Sequence, residues 1–430
     1  MAVPYAKDPA FWARIADAVV IGGAAGIFTL LYLGVEHFLT NAIWGHDALS
    51  VGWFSGDWRT FAVPAVGGIV IGILYMVLKA PARFDGFIHE LEEGYVEPTV
   101  AWKAVVIGLT SLVSGASVGP EGPLASGAGG MATWYTRGRG ADEDRIRSGM
   151  FSSVSSVFGG LLSSPFTASL MTLELAHTQN LGFVFSTVIP SLVAGIVGFV
   201  IIYPVLGEVF VGLYTFESFD LKMIYFLVAV AIGVVSAAAA LLFGISAKLM
   251  NRAFAPLAGR PIIRGAIGGI LAGTIFFAMP VTMFSGIGGL EVLIETAGDV
   301  AIWALLLIVV LKMIALSSAL ASGFYGGPFF PLFFIGGTLG VALHVLFPDL
   351  PLGLAVGAAM GGVAGALASI PLSIMVFAAF VVGFGVSTIA LIGTAVVTAF
   401  TITYGLGFIG AGRDENPDTG SLDADADSSS

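Results

Sequence analysis

The chain has 430 residues, of which 57% are hydrophobic and 10% charged, with a mean hydropathy of +0.97. Soluble domains carry about 25% charged residues, so the composition excludes a soluble globule and reads as an all-α polytopic membrane protein embedded in a lipid bilayer. There is no cysteine, which excludes disulfides and thiolate metal sites. The five histidines show no metal-binding spacing, and the apolar segments hold no catalytic pair. No metal, cofactor, enzymatic activity or nucleic-acid partner is therefore expected. The formal net charge is −11, and much of the acidic excess lies outside the apolar segments.

Residues 1–16 are polar and aromatic and are expected to lie along the membrane interface. Apolar segments follow at about 17–39, 60–80, 99–117, 122–136, 149–162, 166–177, 181–205, 222–250, 261–280, 300–320, 329–347, 353–368, 371–383 and 384–409. The first is long and lacks an evident cleavage site, so it reads as a retained helix. Several others are shorter than the roughly 20 residues of a straight span. Short segments interrupted by Gly and Pro mark broken helices around a site at the membrane midplane. The loop 137–147 carries four arginines and is expected on the cytoplasmic side, with Lys79, Arg83, Arg252, Arg260 and Arg264. The tail 411–430 is acidic and is expected to be disordered.

One carboxylate stands apart. Glu121 lies in Gly119-Pro120-Glu121-Gly122-Pro123, preceded by an uncharged run from Val105 to Val113 and followed by no charge until Arg137. Pro cannot donate a backbone hydrogen bond and disfavours helix in the residue before it. Irregular backbone at membrane depth is tolerated only where protein or a watery cavity surrounds it. An ionisable residue there points to function. The alternative is a solvated glutamate in a loop at the membrane surface.

The chain repeats itself at an offset near 205 residues. Val20-Ile21-Gly22 returns as Ala231-Ile232-Gly233, and Ala65-Val66-Gly67-Gly68-Ile69 as Ala266-Ile267-Gly268-Gly269-Ile270. Phe84-Asp85-Gly86 returns as Phe284-Ser285-Gly286, Lys103 as Lys312, and Ser164-Pro165-Phe166 as Ile370-Pro371-Leu372. The Glu121 motif itself returns as Gly327-Pro328-Phe329-Phe330-Pro331. The division is thus an interfacial segment 1–16, repeats 17–215 and 216–410, and the tail 411–430. The parity of spans is not countable from the sequence, so the repeats alone leave their relative orientation open.

A half-helix whose N-terminus ends inside the membrane presents unpaired N–H groups and a partial positive charge. It can hold an anion without a fixed cation. Such ends are expected after Gly86, after Gly122 and after Pro328. The carboxylate of Glu121, at one of them, could fill the anion position itself and leave it when protonated.

Gly119-Pro120-Glu121-Gly122-Pro123 resembles the GxEGP signature of the CLC family of chloride channels and chloride/proton antiporters, and Gly327-Pro328-Phe329-Phe330-Pro331 resembles its GxFxP signature. Lys103 with Ser114-Gly115, and Lys312 with Ser322-Gly323, resemble the lead-ins to those motifs. The resemblance spans about 15–410. It implies two inverted repeat halves of short, tilted, broken helices, a homodimer, and a prokaryotic plasma-membrane protein without regulatory C-terminal domains. It assigns Glu121 the role of gate and proton carrier. The anion pathway then draws on Gly119, Pro120, Gly122, Asp85, Gly86, Pro328, Phe329, Phe330 and Tyr404.

The chain departs from the family pattern in four places. Asp85 stands where a serine would help hold the anion, and is as readily a helix N-cap. Pro120 replaces a basic residue before the gate. The internal proton glutamate would fall at Leu175, leaving its neighbour Glu174 as a candidate for the internal proton route or, preferably, a structural carboxylate. Tyr404 is the only nearby candidate for the central tyrosine. Leu175 tilts the reading towards a gated chloride channel, with a chloride/proton or fluoride/proton antiporter as the alternative. Lys103 and Lys312 are read as colouring the pathway positive, His177 as a helix C-cap, Glu291 and Glu295 as facing water, and the Phe-rich run 324–334 as mostly packing.

Overall fold

The computed structural model describes residues 7–45, 56–84, 86–175, 181–383 and 385–407. Among them are seventeen α-helices and no β-strand. The first half holds α1 (Pro9–Trp44), α2 (Trp58–Val77), α3 (Phe87–Glu93), α4 (Pro98–Val113), α5 (Glu121–Gly138), α6 (Glu143–Leu161), α7 (Pro165–Glu174), α8 (Leu181–Phe183) and α9 (Ile189–Leu206). The second holds α10 (Ile224–Phe254), α11 (Pro261–Ala278), α12 (Ile287–Glu295), α13 (Ile302–Ser322), α14 (Phe329–Leu346), α15 (Leu352–Gly365), α16 (Pro371–Val381) and α17 (Val386–Gly405). Eight helical stretches are long and apolar enough to cross a membrane. The short α3 and α12 are additions to the fourteen predicted segments. α1 runs unbroken from Pro9, through the predicted boundary at residue 17. The predicted tail 411–430 lies outside the described residues.

Contacts repeat between the halves. α1 packs on α9 and α10 on α17; α5 packs on α6 and α14 on α15; α6 packs on α7 and α15 on α16. Equivalent elements also meet across the divide, as α2 with α11 and α7 with α16. Glycine allows the closest of these approaches. A Cβ on Gly68 would strike the carbonyl oxygen of Gly265, and a Cβ on Gly265 that of Gly68. Near the C-terminal end of α2, Gly72 lies against Pro261 and Ile262, which open α11; near the C-terminal end of α11, Gly273 lies against Phe61, close to the start of α2. The two spans are therefore antiparallel. Since they are equivalent, the second repeat is inverted relative to the first, and the question that parity left open is answered by packing.

The breaks before the two motifs are built alike. α4 stops at Val113 and the chain turns at Gly115 with φ +81°; α13 stops at Ser322 and the chain turns at Gly323 with φ +102°. Only glycine adopts this left-handed conformation at little cost. Ser114 then packs on Gly67 of α2, and Ser322 on Gly268 of α11. In both halves a spanning helix thus clamps the turn that aims the motif inward.

Candidate functional site: a buried carboxylate between two broken helices

The loops before α5 and α14 form one short antiparallel bridge. The Gly119 N–H donates to the Gly327 carbonyl at 2.7 Å, and the Gly327 N–H donates to the Gly119 carbonyl at 2.8 Å. The bridge sets the N-termini of the two helices side by side in the interior. Helix α5 begins at Glu121 itself, one residue earlier than predicted. Pro123 causes no break there, because the first N–H groups of a helix have no intrahelical acceptor.

Glu121 is completely buried. Its side chain crosses to α14, where Oε1 accepts the Phe329 N–H at 2.8 Å. The other carboxylate oxygen, Oε2, is buried with no hydrogen-bond partner among the described residues. The Phe329 N–H, at the first residue of α14, is one that a bound anion would use. Bare backbone makes the fit: a Cβ on Gly119 or Gly327 would overlap the Glu121 carboxyl group.

Phe329 stands between two spaces. On one side is a pocket of about 30 Å³, walled by Glu121, Phe158, Thr167, Phe330 and Ser373 among others. It is large enough for a single water. On the other side is a cavity of about 350 Å³ whose wall includes Arg83, Gly86, Gly122, Ser317, Tyr325 and Pro328. A further space of about 410 Å³ shares Arg83, Gly86, Asn251 and Tyr325 with it and adds Tyr75 and Arg264. Among the described residues, the charged ones lining these two larger spaces are both arginines, whose field attracts anions.

The structure gathers Gly119, Gly122, Pro328, Phe329 and Phe330 around Glu121, and sets Gly86 in the wall of the larger cavity. Pro120 is the residue before α5 and is half-buried. Asp85 and His177 lie outside the described residues. Tyr404 is not brought to the site: it is 63% exposed on α17 and stacks on Phe400. The tyrosine in the cavity wall is Tyr325, within the run read from sequence as packing. It is buried, and its hydroxyl lies 2.6 Å from Ser126 Oγ.

Glu174 is used structurally in this conformation. One carboxylate oxygen accepts the Leu372 N–H at 2.6 Å, and the other accepts the Ser373 N–H at 2.8 Å and the Ser373 hydroxyl. It caps α16 from the other repeat. Leu175 beside it is buried in the hydrophobic core.

The paired lysines have parted roles. Lys103 is half-buried and donates to the Lys79 carbonyl at 3.1 Å. Lys312 is fully buried, with Nζ donating to the carbonyls of Thr282, Met283 and Phe284 at 2.9, 3.4 and 2.7 Å. Arg264 is buried rather than solvated. It donates to the Ala82 carbonyl at 3.0 Å and lies over the Tyr75 ring. Glu291 and Glu295 are both exposed on α12.

Inverted repeats whose broken helices converge on a buried carboxylate have the architecture of a membrane transport protein. The family model described as "Voltage gated chloride channel" matches residues 67–404, and the chain belongs to that family. It is 25% identical over 366 residues to the chloride channel protein CLC-e of Arabidopsis thaliana, covering 79% of this chain and 50% of that one. The chain thus spans half the length of the plant relative. It is 24% identical over 344 residues to the putative ion-transport protein YfeO of Escherichia coli, covering 78% of this chain and 79% of that one.

Two solved structures share the fold. A slow cyanobacterial Cl⁻/H⁺ antiporter superposes with a TM-score of 0.76 at 16% identity, covering 95% of this chain and 96% of that one. A CLC-type fluoride/proton antiporter superposes with a TM-score of 0.72 at 20% identity, covering 91% and 95%.

Proposed function

We propose that the chain exchanges a small anion, chloride first, for protons, with Glu121 as both gate and proton carrier. The observation that carries this is the Glu121 carboxylate on the Phe329 N–H, in the place an anion would take. An ionised carboxylate is held there by a charge-assisted hydrogen bond. A protonated one loses most of that attraction and yields the position to the anion, so anion entry and protonation of Glu121 are linked. That the two fold neighbours are described as proton-coupled antiporters supports the same reading. The proposal extends to a homodimer in a prokaryotic plasma membrane, with no enzymatic step.

Passive, gated conduction is the second reading, favoured by Leu175 at the position where the resemblance places an internal proton acceptor. The two are separated by recording chloride and external pH together from chloride-loaded liposomes, for the wild type and Glu121→Gln. Exchange requires that a chloride gradient drive protons uphill in the wild type and that the substitution abolish this movement. Chloride efflux with no proton movement in the wild type would replace exchange by conduction.

A further inference from the structure

Apart from the cavities beside Phe329 there is a groove of about 480 Å³, formed by the end of α1, by α2 and by the end of α4. Its walls are apolar. The hydroxyls among its lining residues are already bonded: Thr110 donates to the Val106 carbonyl and Ser114 to the Ser111 carbonyl, each at 2.9 Å. Ile43, Trp58, Val66 and Val70 line the groove and are exposed, so it opens outward. The surface they belong to faces lipid, since α1 and α2 are both long and apolar enough to cross a membrane. The groove is therefore continuous with the surface that the bilayer covers. Water gains little in such a gap: apolar cavities of about 150 Å³ stay dry and take up apolar molecules. Left empty, the groove would forfeit dispersion contacts along its whole lining.

Its length fits one leaflet. On α2 the lining runs from Trp58 to Val70, a rise of about 18 Å along the helix. The hydrocarbon core of a bilayer is about 30 Å thick, so one leaflet supplies about 15 Å. Trp58 opens α2 and marks the headgroup end, with the Arg59 guanidinium 6.0 Å from its ring centre. Tryptophan is favoured at that boundary. This end lies away from the arginine loop 137–147, which meets the start of α1 through Arg145 and Asp17.

The inner part of the groove is the clamp on the gate turn. Gly67, Val113 and Ser114 line it. Ser114 packs on Gly67 just before the chain turns at Gly115 towards Glu121. Protein holds the same turn at two other points: the Trp44 indole N–H donates to the Val113 carbonyl at 2.8 Å, and the Phe284 N–H donates to the Gly115 carbonyl at 3.0 Å.

We propose that the groove is a lipid site. One acyl chain of a phospholipid lies along α2 with its tail against Val113 and Ser114, and steadies the turn that aims Glu121 at Phe329. Only the importance of that turn for gating rests on the transport reading; the site itself does not.

The test uses the purified full chain in liposomes of phosphatidylcholine carrying a diazirine near the end of one acyl chain. Val113 is 7% exposed and Ser114 4%, so lipid outside the groove does not reach them. Illumination and peptide mass spectrometry should place cross-links on Val113, Ser114 or Gly67, about 14 Å from Trp58 along α2. A diazirine near the headgroup should move them to Trp58. Ala62→Trp fills the groove from α2 and Thr110→Phe from α4. Each should abolish the inner cross-links and leave those on the exposed Val310 of α13 unchanged. Cross-links confined to Val66 and Val70, with Val113 and Ser114 unlabelled, would overturn the site in favour of bulk lipid passing over a groove filled by protein. Hydrogen exchange reads the steadying directly. In detergent, exchange at 115–119 should slow several-fold when phosphatidylcholine is added to the wild type, and not in Ala62→Trp. An unchanged rate in the wild type would overturn the steadying. Neither readout involves ion movement, so the transport reading stands or falls separately on the flux assays.

Discussion

Gly327→Ala should open the gate. The new Cβ would overlap the Cγ, Cδ and Oε1 atoms of Glu121, the far end of a flexible side chain that can rotate away. Backbone strain is not introduced, because Gly327 is not among the glycines with positive φ. The reciprocal bonds to Gly119 use only backbone atoms and survive the change. What is lost is the hold of the carboxylate on the Phe329 N–H at 2.8 Å. A hydrogen bond to a charged group contributes about 1.5–3 kcal/mol, so the balance between closed and open gate shifts by roughly ten-fold to a hundred-fold. Chloride efflux from liposomes at neutral pH should rise accordingly, and adding Glu121→Gln should change it little further. A Gly327→Ala protein of unchanged thermal stability, with wild-type flux and a wild-type response to pH, would refute the argument that the carboxylate blocks the path.

Three further outcomes follow from the packing. Glu174→Ala removes the cap of α16 and should cost about 1–2 kcal/mol of stability, read as a lower Tm in detergent; an unchanged Tm would remove the structural role of Glu174. Lys312→Met leaves the carbonyls of Thr282, Met283 and Phe284 without their donor. At about 1–3 kcal/mol for each buried group left unsatisfied, the protein should lose several degrees of Tm even though the cost of burying the charge is relieved. Gly265→Val places a side chain against the Gly68 backbone, which cannot rotate aside. It should separate α2 from α11 and cost more than the roughly 1–3 kcal/mol of ordinary overpacking, seen as loss of a monodisperse peak on size exclusion; an intact peak and Tm would refute the close crossing.

Local chemistry made much of this protein legible. A charge in an apolar stretch is conspicuous, so Glu121 stood out before any contact was known. Gly and Pro mark breaks wherever they stand, so the ends near Gly86, Gly122 and Pro328 were readable from the chain, to within a residue or two. The seven-residue α3 and nine-residue α12 were harder, because so few residues give little apolar periodicity to detect. Tyr404 is a candidate only by its place in the chain, and place does not determine which way a helix face points. Tyr325 stands among phenylalanines. A hydroxyl in an aromatic run is conspicuous only when its partner is known, and Ser126 is 199 residues away in sequence.

The sequence by itself determined the membrane setting, the two repeats, the broken helices and the carboxylate at their meeting point. Each of these is written in residue type and spacing along a single stretch or its echo. Tertiary structure decided the inversion of the repeats, through glycines on α2 and α11 that let antiparallel backbones touch. It also decided that Lys312 and Arg264 are buried donors to backbone carbonyls, that Glu174 caps a helix of the other half, and that Ser126 and Tyr325, one from each half, meet. The physical reason is the same in each case. A polar side chain states what bonds it can make, and only the folded arrangement of distant elements states which partner is within reach.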